Sequence, residues 1–199
     1  MARVLVAYTT KSGSTSEVGR AVAEELEAAG GEVDLRRLGD VTDLGGYDAV
    51  VVGGPMILGW RRDAVRFLAD NQASLSQKPV ALFMTAKALT RIPGETLGDT
   101  ALFHDPGLGQ PPKNPAKLSF KEKEATPQRY LEPVLKKAPA VKPFAAGFFA
   151  GKITYSSLNV LERFFVKRVV GAQEGDSRNW NAIRDWARTV APRLVDPRQ

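Results

Sequence analysis

Cysteine is absent from the 199-residue chain, which excludes disulfide bonds, thiol catalysis and cysteine-ligated metals. Histidine occurs only once, at His104, and no group of histidine and carboxylate residues has metal-ligand spacing, so no metal site is expected. The chain also lacks a run of about 18 apolar residues and a recognisable signal peptide. These absences predict a cytoplasmic protein without a membrane span. His104 falls in an irregular segment, residues 90–127, so we expect it to be a loop residue rather than an acid–base catalyst.

The charge of the chain is positive, with 28 Lys and Arg against 22 Asp and Glu and a formal net charge of +6. Much of the excess follows residue 110. A basic surface suits anionic lipid, nucleic acid or an acidic protein, although a solvated basic face without a partner is an equally good interpretation. No nucleic-acid-binding motif accompanies the charge, so no nucleic-acid partner is expected.

Strand and helix patterns alternate along the chain, which predicts a single α/β domain over residues 1–199 with a parallel sheet between helices. The predicted strands are 3–9, 32–38, 48–53, 79–85 and 144–153, and the predicted helices are 15–29, 61–73, 127–137, 156–170 and 178–193. Residues 90–127 break this alternation, since they are rich in Pro, Gly and Lys. We expect them to form a long, partly mobile insertion after the fourth strand.

The turn between the first strand and the first helix is made almost entirely of small hydroxyl side chains and glycine, over Thr10–Thr15. Hydroxyls, free backbone N–H groups and a helix N-terminus together favour a phosphate. Ser14 and Glu17 also have the spacing of a capping box, which needs no ligand, but the additional hydroxyls favour the phosphate. The turn is neither a Walker A loop nor a Gly-x-Gly-x-x-Gly fingerprint. A receiver domain is not favoured, because Gly53 and Gly54 stand where it needs an aspartate.

The pattern Thr10-x-Ser12-Gly13-x-Thr15 resembles the FMN-phosphate loop of the flavodoxin family. The resemblance implies a doubly wound, five-stranded parallel sheet in the order 2-1-3-4-5, with FMN held by the loops after the first, third and fourth strands. Met56, Leu58 and Trp60 would then offer apolar or aromatic faces to the flavin ring, or would instead cap the core. The cofactor-binding residues so implied are Thr10, Lys11, Ser12, Gly13, Ser14, Thr15, Gly54, Pro55, Met56, Ile57, Leu58, Gly59, Trp60, Thr85, Ala86 and Lys87.

Two segments near the carboxyl end, 150–158 and 175–187, are similar to the flavodoxin-like subgroup that contains menaquinone-dependent protoporphyrinogen IX dehydrogenase. This similarity implies an enzyme that passes electrons from protoporphyrinogen to a quinone. The insertion is longer than that subgroup leads one to expect. On structural grounds alone, Asp176 or Ser177 would cap the last helix, while Trp180 and Trp186 would pack along it.

Three hypotheses follow from these patterns. The first is an FMN-dependent oxidoreductase with a quinone or another redox partner, in which chemistry occurs at the flavin and needs no catalytic side chain. The second is a non-catalytic electron carrier, although typical flavodoxins are acidic and this chain is basic. The third is a degenerate domain that acts as an interaction module. The predicted helix 158–170 interleaves apolar and basic residues, which suits either core packing or peripheral contact with an anionic membrane at its inner face.

Overall fold

The computed structural model describes residues 1–56, 59–92, 97–153, 155–157, 160, 164, 168 and 174–196. The strands are β1 Arg3–Tyr8, β2 Glu32–Arg37, β3 Ala49–Pro55, β4 Val80–Ala86, β5 Leu89–Thr90, β6 Ala101–His104, β7 Gly109–Gln110, β8 Ala145–Ala150, β9 Lys152–Ile153 and β10 Gly175–Asp176. The helices are α1 Ser14–Ala28, α2 Arg62–Asp70, α3 Gln72–Leu75, α4 Phe120–Glu124, α5 Pro127–Leu135 and α6 Trp180–Val195. Short 3₁₀ turns lie at Leu38–Asp40 and Tyr155–Ser157.

The central sheet contains six parallel strands in the order β2-β1-β3-β4-β8-β6. The predicted α/β class and the order of the five predicted strands are confirmed, because β8 is the fifth of them. The predicted strand count is wrong. A sixth strand, β6, comes from within the insertion and pairs with the outer edge of β8, from Ala101 beside Ala145 to His104 beside Phe148. His104 is therefore a strand residue and not a loop residue.

The insertion is attached to the sheet through a buried carboxylate, that of Asp105. Its oxygens accept hydrogen bonds from the Ala150 amide at 3.0 Å, the Gly107 amide at 2.8 Å and the Asn179 side chain at 3.1 Å. These bonds tie the end of β6 to the end of β8 and to the start of α6. The four residues of β6 are too few to show a strand period between flanking turns, which is why the sequence pattern missed this strand.

Helices cover both faces of the sheet. On one face α1 and α6 bury Val18, Leu26 and Ile183 against the strands. On the other face α2 and α5 bury Leu68 and Leu131. Because β1, β3, β4 and β8 are parallel, their carboxyl ends lie at a single edge of the sheet, which is where ligands bind in open α/β sheets.

Glycines inside two strands make room for aromatic rings. β3 extends through Gly53 to Pro55, beyond the predicted end at residue 53. A Cβ at Gly53 would lie 1.9 Å from the Phe83 ring, and one at Gly147 would lie 2.7 Å from Phe149. The sheet face under α1 and α6 is therefore shaped around rings that glycine alone admits.

The substitution Gly53→Ala is expected to destabilise the protein by about 1–3 kcal/mol or more, because the new methyl group overlaps a fully buried ring. Urea denaturation followed by circular dichroism measures this loss. Gly39→Ala is the matched control, since a Cβ there meets nothing within 4 Å, and its stability should be unchanged or slightly higher. Equal midpoints for the Gly53→Ala variant and the wild type would contradict this packing.

The carboxylate of Glu122 organises the second half of the insertion. It accepts hydrogen bonds from the Ser119 hydroxyl at 2.6 Å, the Lys113 amide at 2.7 Å and the Ser119 amide at 2.7 Å. These bonds lower the pKa of Glu122 to about 2. The Ser119 hydroxyl also accepts from the Glu122 amide, which completes a capping box at the start of α4.

Because the folded pKa of Glu122 lies below the unfolded value, its contribution to stability is present above pH 4.5 and is lost as the pH falls toward 2. We expect Glu122→Gln to unfold more easily than the wild type at pH 6. The difference between the two denaturation midpoints should shrink steadily between pH 4.5 and pH 2. A difference that stays constant over this range would show that the charge of Glu122 does not carry these bonds.

Candidate functional site

A cavity of about 1010 Å³ opens at the carboxyl edge of the sheet. Four loops contribute to its wall, after β1, β3, β4 and β8. The lining residues from these loops are Lys11, Ser12, Ser14, Thr15, Pro55, Met56, Gly59, Trp60, Thr85, Ala86, Lys87, Ala88, Gly151, Lys152 and Ile153. The cavity lies at the upper end of the size range of single-ligand pockets, about 300–1,000 Å³.

The turn after β1 is shaped by Gly13, which has a φ of 85° and directly precedes α1. The Thr10 hydroxyl accepts a hydrogen bond from the Gly13 amide at 3.0 Å, and the Ser12 and Ser14 hydroxyls lie 3.4 Å apart. The Ser16 and Glu17 amides donate to the Gly13 carbonyl at 3.1 and 3.4 Å, which leaves the Ser14 and Thr15 amides as the N–H groups of the first helical turn that could receive an anion. We call Thr10–Thr15 the phosphate turn, because hydroxyls and helix N–H groups converge there.

The predicted capping box at Ser14 and Glu17 is wrong. Ser14 is already the first helical residue, and the residue before it, Gly13, makes no side-chain cap. Glycine takes this position because the chain enters α1 in the left-handed region, which side chains disfavour. The Glu17 carboxylate instead accepts from Arg178 at 2.8 Å.

A pair of threonines links the turn to the loop after β4. Thr15 is fully buried, and its hydroxyl lies 3.4 Å from the Thr85 hydroxyl. The Thr85 carbonyl also accepts from the Met56 amide at 2.8 Å, which joins the β3 and β4 loops. The three loops that the sequence singled out therefore form one connected wall.

Trp60 lies against the end of β3, over Gly54. A Cβ at Gly54 would be 2.6 Å from the indole nitrogen of Trp60, so only glycine admits the ring in this place. Trp60 is 7% exposed, and its indole N–H has no acceptor among the residues that the structure describes. Asp63 fixes the chain beyond the loop by accepting from the Thr9 hydroxyl at 2.6 Å. The tryptophan ring thus lines the site, while its indole nitrogen is buried beside Gly54.

Lys87 brings a half-buried cation to the cavity. Its ammonium donates to the Ser177 hydroxyl at 3.1 Å. Burial lowers the pKa of Lys87, while the charge of Asp176 opposes that shift. The ammonium is thus held by a segment that follows β8 by more than twenty residues.

A groove with basic edges continues the cavity between the helices of the other face. One wall is α2, through Arg62, Val65, Arg66, Ala69 and Asp70, which recur at helical spacing. The opposite wall is formed by α4, α5 and the turns that follow them, through Phe120, Lys121, Glu124, Ala125, Arg129, Tyr130, Pro133, Val134 and Lys137. We call these residues the basic groove.

The charges of the basic groove are mostly positive and unpaired. Arg129 pairs with Glu124 at 2.9 Å. Within the described ranges, Arg62, Arg66, Lys121 and Lys137 have no carboxylate within ion-pair distance. Tyr130 donates its hydroxyl to the Ala88 carbonyl at 2.7 Å, and burial raises the pKa of Tyr130 to about 12, so it stays neutral.

Most predicted site residues lie in the cavity wall, but not all of them. Thr10, Gly13 and Gly54 lie behind the wall, where they shape the turn and the seat of Trp60. Ile57 and Leu58 lie outside the described residues. The helix faces of the basic groove were missed, because the polar side of an amphipathic helix reads as solvated surface.

The segment before α6 also differs from its prediction. Neither Asp176 nor Ser177 caps α6, because the cap is Asn179, whose side chain accepts from the Ala182 amide at 3.2 Å. Trp186 is buried as expected, whereas Trp180 is 38% exposed. The predicted helix 156–170 lies largely outside the described residues. Val160, Phe164 and Arg168 are described, and all three are exposed.

A family model described as a flavodoxin domain matches residues 5–179. The chain belongs to the flavodoxin domain family. A search of curated proteins gives no match. Among solved structures, a flavodoxin from the domain Archaea is 13% identical and has a TM-score of 0.51, with 96% of this chain and 98% of that chain covered. That similarity shows the flavodoxin fold.

Two further structures are similar to this flavodoxin-domain protein over part of a chain. Flavodoxin 2 from Bacillus cereus is 28% identical, with a TM-score of 0.38 and coverage of 43% of this chain and 62% of that chain. This chain therefore spans less than two thirds of that flavodoxin. A flavone reductase is 10% identical, with a TM-score of 0.48 and coverage of 99% and 64%.

FMN is the cofactor of flavodoxin-domain proteins, as the sequence predicted. The residues at the sheet edge fit this group. A turn of hydroxyls before a helix N-terminus suits a phosphate dianion, and Met56 and Trp60 provide surfaces for a ring system. In the described part of the chain, no helix has the length and hydropathy needed to cross a bilayer.

Proposed function

We propose that this protein is an FMN-dependent oxidoreductase that takes electrons from an organic anion, with protoporphyrinogen as the first candidate, and delivers them to a quinone. The observation that carries this proposal is the continuity of the phosphate turn and the basic groove in one cavity. A carrier that exchanges electrons through an exposed flavin edge has no need of a second compartment. An enzyme needs one, because its substrate must lie beside the cofactor.

The proposed cofactor-binding residues are those of the three loops. Ser12, Ser14 and Thr15 would hold the phosphate, and Met56 and Trp60 would contact the ring. When bound, FMN supplies the capacity to exchange one or two electrons. Ile57, Leu58 and Gly59 complete the second loop of this proposal, and Thr85, Ala86 and Lys87 the third.

The basic groove favours an anionic substrate with an apolar body. Val65, Pro133 and Val134 provide apolar surface, while Arg66 and Lys137 stand on opposite walls. Carboxylates would be attracted to these cations and excluded from an acidic site. In each turnover two electrons and two protons would leave the substrate and convert the quinone to the quinol. The cationic side chains of the basic groove would orient the substrate.

Contact with a membrane would bring the quinone within reach. Val160 and Phe164 are 88% and 61% exposed, and Arg168 is exposed beside them in the sequence. Apolar and cationic side chains together suit the surface of an anionic bilayer. We therefore place the protein at the inner face of the membrane as part of this proposal.

A second candidate is an electron carrier, which family membership favours, since the family model is that of a flavodoxin domain. The formal net charge of +6 is evidence against this role, because a positively charged carrier would be repelled by basic redox partners. The two functions differ in turnover. An enzyme oxidises many substrate molecules per flavin, whereas a carrier exchanges only as many electrons as its own flavin can hold. A protein that binds no FMN would instead act as an interaction module.

The test is steady-state oxidation of protoporphyrinogen with a soluble menaquinone analogue by FMN-loaded protein. The double variant Arg66→Gln/Lys137→Gln should lower kcat/KM for the porphyrinogen by up to about 30-fold, since two exposed ion pairs contribute up to ~1 kcal/mol each and every 1.4 kcal/mol corresponds to a factor of about ten. The KM for the neutral quinone should not change. Arg20→Gln/Lys142→Gln, which removes two exposed cations outside the cavity, is the matched control.

Two results would count against the proposal. Equal losses in the groove variant and its control would show that only the overall charge matters. A stoichiometric reaction without turnover would assign the protein to the electron carriers.

A further inference from the structure

A segment near the end of the chain contacts the phosphate turn through the backbone of Ser14. We call residues 175–179 the C-terminal clamp. Its Arg178 reaches the first turn of α1 across 164 positions of sequence, and the Arg178 side chain is only 4% exposed. A buried cation at this place requires a reason, because burial of a guanidinium is costly unless every donor is satisfied.

Four of the five N–H groups of the Arg178 guanidinium donate to acceptors of the protein. It donates to both oxygens of Asp176, from Nε at 2.8 Å and from Nη2 at 2.5 Å. Nη1 donates to Glu17 at 2.8 Å and to the Ser14 carbonyl at 3.2 Å. The Trp180 ring covers its face at 4.5 Å. With these partners Arg178 is a positioning group and not itself a ligand.

The contact with Ser14 fixes the residue that begins α1. The amides and hydroxyls of Ser14 and Thr15 can hold an anion only if this first turn keeps its orientation. Arg178 fixes the orientation from the carbonyl side, which leaves the donor side open toward the cavity. Ser14 and Thr15 line that cavity.

Arg178 also neutralises Glu17, an acidic residue in the same first turn. Unpaired, that carboxylate would lie one helical turn from a phosphate dianion and would repel it. The charges of Arg178 and Glu17 therefore have opposite expected effects on phosphate affinity. That opposition separates a phosphate-specific role from general support of the fold.

We propose that Arg178 is the positioning residue of the phosphate turn, which makes the affinity for the phosphate of FMN dependent on the C-terminal clamp. The inference rests on the proposed FMN site. It adds a residue from the far end of the chain to a site that the sequence assigned to the β1, β3 and β4 loops.

The clamp has attachments that do not depend on Arg178. Ser177 accepts from Lys87 at 3.1 Å, and Asn179 donates to Asp105 at 3.1 Å. Gly175 and Asp176 pair with Ile153 and Lys152. A variant at Arg178 should therefore keep the segment in place, and circular dichroism checks that the variant is folded.

The experiment compares FMN with riboflavin, which lacks the phosphate, by quenching of flavin fluorescence. Arg178→Met should weaken FMN binding by about 10- to 100-fold and change riboflavin binding by less than about twofold, as expected for loss of a charge-assisted contact. Arg178→Lys should recover part of the loss. Arg193→Met is the matched control, because Arg193 also covers an aromatic ring, that of Phe144 at 4.6 Å, outside the cavity.

A second variant guards against misfolding of the first. Glu17→Gln removes an exposed charge and leaves Arg178 in place, so FMN should bind about two- to fivefold more tightly and riboflavin should bind as before. Equal weakening of both flavins in Arg178→Met, or no effect of either variant, would overturn the inference while the FMN site stands. A wild-type protein that binds riboflavin as tightly as FMN would overturn the phosphate turn and this inference together.

Discussion

Simultaneous replacement of Ser12 by alanine and Thr15 by valine should weaken FMN binding by about 10²- to 10⁴-fold. Both hydroxyls belong to residues that line the cavity at the start of α1. A hydrogen bond to a charged phosphate contributes about 1.5–3 kcal/mol, and every 1.4 kcal/mol corresponds to a factor of about ten in affinity. Valine keeps the shape of threonine, so the buried position remains filled.

Titration of flavin fluorescence measures this loss, and riboflavin provides the reference ligand. Its affinity should fall far less, because it has no phosphate. The control variant Ser76→Ala/Thr189→Val removes two hydroxyls that bond to their own helices, to the carbonyls of Ala73 and Asp185. Unchanged FMN affinity in the Ser12/Thr15 variant would refute the assignment of the phosphate turn.

The phosphate turn could be found in the sequence because its signal is local. Thr10, Ser12 and Thr15 are separated by few residues, and the strand and helix that flank them have clear periods. The details of the turn were less accessible. Ser14 has the residue type of a cap, but Gly13 takes the preceding position because the backbone there has positive φ. Residue type alone does not reveal that conformation.

The basic groove and the clamp were inaccessible for a different reason. Arg66 lies in α2 and Lys137 follows α5, and each by itself is typical of a cation on a solvated surface. Arg178 and Ser14 are 164 residues apart, and one sequence carries no record of such a contact. Only the order of the strands brings these groups to one edge of the sheet.

Parts of the sheet were equally hidden. β6 adds four residues to the edge of the sheet and lies between turns. Its local sequence pattern is too weak to predict a strand, and its pairing with β8 determines the structure instead. Gly53 and Gly147 also look like interruptions in their strands, since glycine disfavours strand interiors. The structure explains them, because the rings of Phe83, Phe149 and Trp186 occupy the space that a side chain at these positions would need.

Trp186 is the centre of that aromatic group, and its removal should have the largest effect on stability. It is 1% exposed, and its ring lies 5.5 Å from that of Phe149 and 6.3 Å from that of Phe83. Replacement of a buried tryptophan by alanine costs about 3–5 kcal/mol through lost burial and the cavity left behind. We expect Trp186→Ala to lower the free energy of unfolding by that amount, measured by urea denaturation without flavin.

Trp186→Phe should lower the free energy of unfolding much less than the change in side-chain size suggests. Among the described residues the indole N–H of Trp186 has no acceptor, and an unsatisfied buried donor costs about 1–3 kcal/mol. Phenylalanine loses part of the packing but also removes this donor, so the two effects largely cancel. Trp180→Phe, at a position 38% exposed, is the control and should change stability little. If Trp186→Phe destabilises the protein as much as Trp186→Ala, the indole nitrogen has a partner, and the helix α6 is held to the sheet by a hydrogen bond as well as by its rings.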